Sequence, residues 1–218
     1  MSTHFKSHEL PAFFRQHRDR LRDRAFLVEA LRPHVRIRRM NWYPQNSKVR
    51  LIQFPEEFAS LMAFAAEKGV RSYLEIGVSS GGSLYTMDAY LRALFPDYVR
   101  SVGVDPIKKA RYLDEYRKEC PTLEFRHTNS KSLVLTGERY DLAFVDARHV
   151  EKWVLHDFQK VRGHAKYVAF HDIELQGSSV GLAWAKIKAE FPTRWVEFVD
   201  QSAPPEARCG IGLVEIGS

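Results

Sequence analysis

The sequence lacks any long uninterrupted apolar run and contains very few cysteines. No run approaches the length of about 20 residues that spans a bilayer, so we expect no transmembrane helix. The first residues, MSTHFKSHELPAFF, also lack the apolar core and small-residue cleavage site of a secretory signal. Cys120 and Cys209 lie far apart without a CxxC partner, so we expect reduced, structural thiols in a cytoplasmic protein.

Internal repeats and low-complexity tracts are absent as well. Hydrophobic residues make up 44% of the 218 residues, which supports one packed domain and argues against wholesale disorder. We expect residues 1–55 to form a helical N-terminal extension and residues 56–218 to form the domain that carries the function.

Basic residues are concentrated near the start of the chain. The stretch 15–39 holds three acids against nine arginines, which are Arg15, Arg18, Arg20, Arg22, Arg24, Arg32, Arg36, Arg38 and Arg39. Such a patch could meet nucleic acid, an acidic membrane surface or a phosphorylated substrate. We favour a solvated helix face that pairs with a second subunit of a homo-oligomer, because no aromatic-interleaved RNA motif accompanies the arginines.

The periodicity of apolar residues changes at Gly69. Before it, residues 12–32 show a rough helical stripe that Pro33 ends, residues 43–46 are polar and turn-prone, and Pro55 begins a helix for which Gly69 is the C-cap. After it, short apolar runs alternate with amphipathic stretches. The runs are at 72–77, 99–104, 123–127, 141–145 and 166–170, and the stretches are at about 82–95, 107–119, 150–162 and 179–190.

This alternation predicts an α/β fold, because strands separated by helices need crossover connections and so form a parallel sheet covered on both faces. The last two runs, at 195–199 and 211–216, have only a Pro/Gly loop between them. We therefore expect these two strands to pair antiparallel.

A glycine-rich loop follows the first strand. Glu75 stands at the end of that strand, and Gly77, Ser79, Gly81, Gly82 and Ser83 lead directly into the next helix. Ligands of open parallel sheets bind at the carboxyl ends of strands, where glycine lets the backbone approach closely. The spacing G-x-x-x-G-G differs from the dinucleotide pattern G-x-G-x-x-G. A carboxylate here would repel a pyrophosphate but suits the positive amino-acid end of S-adenosylmethionine.

Two further strand ends carry residues suited to a nucleoside. Asp105 ends the second strand, where an acid can accept hydrogen bonds from both ribose hydroxyls. After the third strand, residues 127–130 (HTNS) lie where an adenine would be flanked. Each feature alone is weak, but their occurrence at three successive strand ends favours a cofactor that contains a nucleoside.

The segments LEIGVSSGGS (74–83), GVDP (103–106) and DLAFVDARH (141–149) together resemble the class I S-adenosylmethionine-dependent methyltransferases. More narrowly they resemble the branch of catechol-type and macrolide-sugar O-methyltransferases and cephalosporin-hydroxylase-like proteins, over about residues 50–190. The resemblance implies a Rossmann-like, doubly wound, seven-stranded sheet with the last strand antiparallel. It also implies that Glu75 and Gly77 face the methionine end, Asp105 the ribose, and Asn129 and Ser130 the adenine. Asp146 completes the expected cofactor set.

Two strand ends offer groups for methyl transfer, in which a base must remove the acceptor's proton. Asp146 ends the fourth strand with His149 three residues on, and His171 and Asp172 end the fifth. Asp146 and Asp172 could share Mg²⁺ or another divalent cation, which would lower the pKa of an acceptor hydroxyl. Structural roles compete: Asp146 as a helix cap, His149 as a surface residue and Asp172 as a turn residue.

The resemblance agrees with this assignment, since it implies that Asp146 and Asp172 are metal ligands and that His149 is the base. His171 joins Asp146 and Asp172 in the predicted ligand set. The sequence also departs from the family: catechol-type enzymes have asparagine after the second aspartate, whereas Ile173 follows here. Histidine is moreover a poor magnesium ligand, so the identity of the metal and the need for one stay open.

We expect the loop Gln201–Gly210, with Trp42, Tyr43 and the basic N-terminal segment, to complete an acceptor pocket. The leading hypothesis is a cytoplasmic O-methyltransferase acting on a small-molecule or sugar hydroxyl. The alternatives are a nucleic-acid methyltransferase, a cofactor-binding subunit without catalysis and, more distantly, a dehydrogenase.

Overall fold

A seven-stranded sheet forms the centre of the molecule. The computed structural model describes residues 7–35, 51–107, 112–205 and 208–217, and within them the strand order is β3-β2-β1-β4-β5-β7-β6. The strands are β1 (Ser72–Ile76), β2 (Arg100–Val104), β3 (Glu124–Arg126), β4 (Tyr140–Val145), β5 (Ala165–His171), β6 (Trp195–Phe198) and β7 (Ile211–Glu215).

The pairing of the strands confirms the predicted fold class. Strands β1 to β5 pair parallel, whereas β7 runs antiparallel to both β5 and β6. Strand order changes direction at β1, which lies between β2 and β4, so the carboxyl ends of these three strands open onto a common crevice. The fold thus places the residues that follow β1, β2 and β4 at one edge of the sheet.

Helices cover both faces of the sheet, because the central strands alternate their side chains between two apolar clusters. In β1, Tyr73 belongs to the cluster that includes α1 to α4, and Leu74 and Ile76 belong to the cluster on the other face. The described α-helices are α1 (Leu10–Gln16), α2 (Arg24–Leu31), α3 (Pro55–Glu67), α4 (Gly82–Leu94), α5 (Leu113–Glu119), α6 (Glu151–Val161) and α7 (Val180–Glu190).

Two expected helices differ from their predicted extent. In the stretch at 107–119, the described residues are helical from Leu113: Tyr112 adopts a left-handed conformation (φ 64°), and Asp105 accepts a hydrogen bond from the backbone N–H of Ile107 in a turn. Residues 108–111 lie outside the described residues. The stripe at 12–32 is divided into α1 and α2. Asp23 accepts a hydrogen bond from the N–H of Ala25 and so begins a new helix there.

The N-terminal helices pack on the domain rather than standing apart from it. The Tyr90 hydroxyl of α4 donates to the carbonyl of Leu21. Arg18 and Arg22 donate to the carbonyls of Leu94 and Ala66. These two arginines therefore have structural partners, while the division of the chain at residue 55 stays a prediction.

Part of the sequence-based account lies outside the described residues: Arg36, Arg38, Arg39, Trp42, Tyr43 and the turn-prone stretch 43–46. Among the described helices, none is long and apolar enough to cross a bilayer.

Candidate active site

The loop between β1 and α4 depends on two glycines with positive φ. Gly77 has φ 95°, and a Cβ there would lie 2.2 Å from the carbonyl oxygen of Asp146. Gly81 has φ 93°, and a Cβ there would meet the ring of Tyr85 at 2.5 Å. Both positions combine a backbone conformation that favours glycine with a close approach that leaves no room for a side chain. The loop is therefore pressed against the end of β4.

Glu75 lies behind this loop. Its side chain has no exposed surface, and its two carboxylate oxygens accept hydrogen bonds from the hydroxyls of Ser83, at 2.6 Å, and Tyr73, at 2.7 Å. Burial raises the pKa of Glu75 to about 8, although the two hydroxyls favour the charged form. Because side chains alternate along a strand, Glu75 points to the opposite face from Ile76.

Asp105 joins the ends of β1 and β2. Its carboxylate accepts hydrogen bonds from the backbone N–H of Ser79 at 2.8 Å and of Ile107 at 2.7 Å. Ser79 has φ 49°, which turns its N–H toward this carboxylate. Each oxygen of Asp105 keeps a second lone pair for another donor.

A cleft of about 660 Å³ opens at the carboxyl ends of β1, β2 and β4. Six of the predicted cofactor residues line it: Gly77, Ser79, Asp105, Asn129, Ser130 and Asp146. The other four, Glu75, Gly81, Gly82 and Ser83, are not among the lining residues. The roles of all ten toward a cofactor stay a prediction.

The lining also includes a residue that sequence reasoning did not assign to the site. Trp153 is half-buried and lines the cleft. The cationic groups of Lys131 and Arg148 lie 4.4 and 4.9 Å from the centre of its ring.

Two aspartates and two histidines form a cluster at one end of the cleft. His171 Nδ1 lies 3.3 Å from Asp146 Oδ1 and 3.2 Å from Asp172 Oδ1. His149 Nε2 lies 3.0 Å from Asp172 Oδ2 and 3.7 Å from Asp146 Oδ1. The structure therefore brings all four predicted catalytic and metal residues together. Asp172 adopts φ 63°, a left-handed conformation that aspartate tolerates better than most residues.

The charges in this cluster stabilise one another. Burial opposes ionisation of Asp146, but the imidazoles of His171 and His149 outweigh it and lower the pKa of this carboxyl. Burial opposes the charge of His171, yet Asp146 and Asp172 raise its pKa well above the ordinary value. Asp146 and Asp172 also raise the pKa of His149. His149 is the most exposed member, with 45% of its side chain accessible, whereas His171 is buried.

Two further polar side chains reach the cluster from the segment around α3. The Gln53 amide donates to Asp146 Oδ2 at 2.6 Å. Glu57 Oε1 accepts the backbone N–H groups of Asp200 and Gly210, at 3.3 and 2.9 Å, and so fixes both ends of the predicted acceptor loop. Sequence reasoning missed both residues, because nothing in the local pattern links a helix start to a loop some 150 positions away.

Donor atoms that could hold a metal occur in two overlapping groups among the described residues. One atom each from Asp146, His149 and Asp172 lie within 4.8 Å of one another, and so do one atom each from His171, Asp172 and Cys209. His171 thus belongs to the second group. The predicted set of Asp146, Asp172 and His171 stays a prediction.

No protein-family profile matches the sequence, and no curated relative matches it. The fold, by contrast, is similar to that of solved methyltransferases.

Three solved structures illustrate this likeness. The O-methyltransferase TomG from Streptomyces achromogenes, involved in tomaymycin synthesis and solved in complex with S-adenosylmethionine, has a TM-score of 0.57 at 17% identity, over 77% of this chain and 82% of its own. An O-methyltransferase from Bacillus cereus has a TM-score of 0.54 at 15% identity, over 90% of both chains. The N-methyltransferase NodS from Bradyrhizobium japonicum has a TM-score of 0.53 at 14% identity, over 75% and 96%.

The position of Glu75 predicts how stability depends on pH. Because its folded pKa of about 8 exceeds the ordinary value of 4.5, the folded state holds a proton that the unfolded state loses, and the free energy of unfolding falls as pH rises through this window. Glu75→Gln should remove on the order of 2–3 kcal/mol of this loss of stability between pH 6 and pH 9. Urea unfolding at both pH values measures this change.

Glu115→Gln is the matched control, because Glu115 is half-exposed and should leave the pH dependence unchanged. An unaltered pH dependence in Glu75→Gln would show that Glu75 is not the group that titrates.

Proposed function

We propose that this protein is an S-adenosylmethionine-dependent methyltransferase that methylates a hydroxyl of a small molecule or sugar. The observation that carries the proposal is the cleft at the ends of β1, β2 and β4, which joins Asp105, Asn129 and Ser130 to the Asp146 cluster. The fold supports the proposal, because it is similar to that of two O-methyltransferases, TomG and the B. cereus enzyme. TomG was solved with S-adenosylmethionine, and the B. cereus enzyme with the demethylated product.

The cleft fits the cofactor in size and polarity. Free lone pairs of Asp105 would accept the ribose hydroxyls, and Asn129 and Ser130 would flank the adenine between Ile107 and the β4–α6 loop. Glu75 would position the glycine-rich loop without contacting the cofactor, because its carboxyl group accepts a hydrogen bond from the Ser83 hydroxyl. When bound, S-adenosylmethionine supplies an electrophilic methyl group on a sulfonium.

His149 is the proposed base. It is the exposed member of the cluster, so its imidazole can reach an acceptor hydroxyl, while Asp172 at 3.0 Å orients it and stabilises the imidazolium that forms. Buried His171 balances the charge of Asp146 and Asp172. Removing the hydroxyl proton makes the acceptor oxygen a competent nucleophile for the in-line displacement.

A metal-assisted reaction is the second candidate. Its support is the spacing of Asp146, His149 and Asp172, whose donor atoms within 4.8 Å of one another fit a divalent cation. Such an ion would lower the pKa of an acceptor hydroxyl. His149 would then be a ligand and not the base, which makes the two candidates distinguishable.

The other hypotheses have less support. Arg18 and Arg22 donate to backbone carbonyls, which does not favour a nucleic-acid surface at this part of the N-terminal segment. A cofactor-binding subunit without catalysis would not require the cluster of two aspartates and two histidines. We also propose that the protein associates into homo-oligomers. We further propose a cytoplasmic location, because Cys120 and Cys209 are free and buried.

The ribose assignment is tested with Asp105→Asn. The amide keeps one acceptor oxygen and loses the other, so the affinity for S-adenosylhomocysteine should fall about 10- to 100-fold, measured by isothermal titration calorimetry. Asp97→Asn is the control, because Asp97 is an exposed residue paired with Arg71. Equal affinities in the two variants would contradict the assignment.

The role of His149 is tested in two ways. His149→Gln should lower the rate of S-adenosylhomocysteine formation about 10²- to 10⁴-fold with a panel of catechol and sugar acceptors, whereas His164→Gln should not. In the wild-type protein the His149 pKa, followed by NMR, should exceed 6.5, and Asp172→Asn should lower it by removing a neighbouring charge. The pH at which the rate rises should shift down with it.

Loss of activity on chelation, with recovery on adding Mg²⁺ or Mn²⁺ and no shift of the pH profile in Asp172→Asn, would instead support the metal-assisted candidate.

A further inference from the structure

A buried cysteine lies beside the cluster. Cys209 immediately precedes Gly210 and β7, and β7 pairs with β5 so that Ile211 stands opposite His171. This pairing brings Cys209 to His171 and Asp172, with one donor atom of each residue within 4.8 Å of the others. All three residues are buried. The methyl-transfer chemistry proposed above makes no use of Cys209.

We propose that His171, Asp172 and Cys209 form a site for a transition-metal ion of the zinc class. A thiolate, an imidazole and a carboxylate are the donors that Zn²⁺ takes in proteins, whereas Mg²⁺ prefers oxygen alone. His171 Nδ1 and Asp172 Oδ1 lie 3.2 Å apart. Two ligands of a tetrahedral zinc ion at ordinary bond lengths lie about 3.4 Å apart, so these two atoms need little movement to share one.

Two buried polar atoms beside the group support the proposal. His171 Nε2 and Glu57 Oε2 have no hydrogen-bond partner among the described residues, and the two residues attract each other electrostatically. A metal-bound histidine almost always donates its other ring N–H to a carboxylate or carbonyl. With Nδ1 on the ion, Nε2–H would donate to Glu57 Oε2, and both atoms would gain a partner.

Glu57 also positions the third ligand. Its other oxygen, Oε1, accepts the backbone N–H of Gly210, the residue after Cys209, at 2.9 Å. One carboxylate would thus orient both the His171 ring and the loop that carries Cys209. Glu57 would act as a positioning residue that does not itself touch the ion.

The site is distinct from the cation site of the second candidate function. That site uses Asp146 and the exposed His149, whereas this one uses Cys209 and buried His171, and the two share only Asp172. An ion here would hold Asp172, whose Oδ2 lies 3.0 Å from His149. On binding, the Cys209 thiol and the Nδ1–H of His171 would each lose a proton to solvent, which leaves a thiolate and a neutral imidazole as ligands. The proposal does not depend on methyl transfer.

Cobalt(II) serves as the probe, because a thiolate ligand gives it a sulfur-to-metal charge-transfer absorption. The full-length chain, freed of metal by chelation, should bind one equivalent of Co²⁺ with this band, and Zn²⁺ should displace it. Cys209→Ser should abolish the band and lower Zn²⁺ affinity at least about tenfold. Cys120→Ser is the matched control, since Cys120 is the other buried free cysteine and is absent from both donor groups.

Glu57→Gln supplies a second variant that retains all three ligands. Loss of an outer-shell partner typically costs 10- to 100-fold in metal affinity, so its Co²⁺ band should persist while affinity falls within that range. Calorimetric titration of each variant with S-adenosylhomocysteine shows whether the fold and the cofactor cleft are intact.

A Co²⁺ complex without the thiolate band would overturn the proposal. So would a band that survives Cys209→Ser or disappears in Cys120→Ser. Binding that is lost in Asp146→Asn but retained in Cys209→Ser would assign the ion to the Asp146 and His149 group and would also contradict the proposed site. None of these outcomes bears on cofactor binding, so the failure of either proposal is recognisable separately.

Discussion

The site depends on how closely β1 and β4 approach each other at their carboxyl ends. The N–H of Asp146 donates to the carbonyl of Ile76, and Gly77 leaves no space between its α-carbon and the Asp146 backbone. Any side chain at position 77 would push the glycine loop away from β4. Because the loop borders the cleft and Asp146 opens the charged cluster, this one contact sets the distance between the proposed cofactor site and the proposed base.

Charge balance decides the form of the cluster. Asp146 and Asp172 are largely removed from water, and isolated carboxylates in such a place are unfavourable unless paired. His171 bridges both of them, and the more exposed His149 lies beside Asp172. Either a buried imidazolium or a divalent cation would neutralise the charge of these two carboxylates. The cluster can therefore be understood either as neutralised by histidine or as prepared for metal, and the difference lies in which atoms carry protons.

Strand ends could be predicted from the sequence because the change from helical to strand periodicity is strong after Gly69 and crossover helices force parallel pairing. That is why Asp105, Asp146 and Asp172 were expected at one edge of the sheet, where the structure has them. The direction of the Glu75 side chain was harder to predict. Its place at a strand end was evident, but the face it occupies depends on Tyr73 and Ser83, which hold it away from the cleft.

Contacts between distant segments could not be predicted. Gln53, Glu57 and Cys209 reach the cluster only because α3 and the loop before β7 pack over the same end of β5, and no local spacing encodes that meeting. Trp153 was missed for a related reason: the sequence of a helix does not tell whether the surface that it faces is core or cleft. Sequence patterns specify which end of the sheet is functional, whereas tertiary packing specifies which side chains complete it.

The central claim is that the cleft binds S-adenosylmethionine, and calorimetric titration of the full-length chain tests it most directly. The account predicts saturable one-to-one binding of S-adenosylhomocysteine and no binding of NAD⁺ or NADP⁺, because the glycine loop has the spacing G-x-x-x-G-G and not the dinucleotide pattern G-x-G-x-x-G. Binding of a nicotinamide dinucleotide without binding of S-adenosylhomocysteine would contradict it.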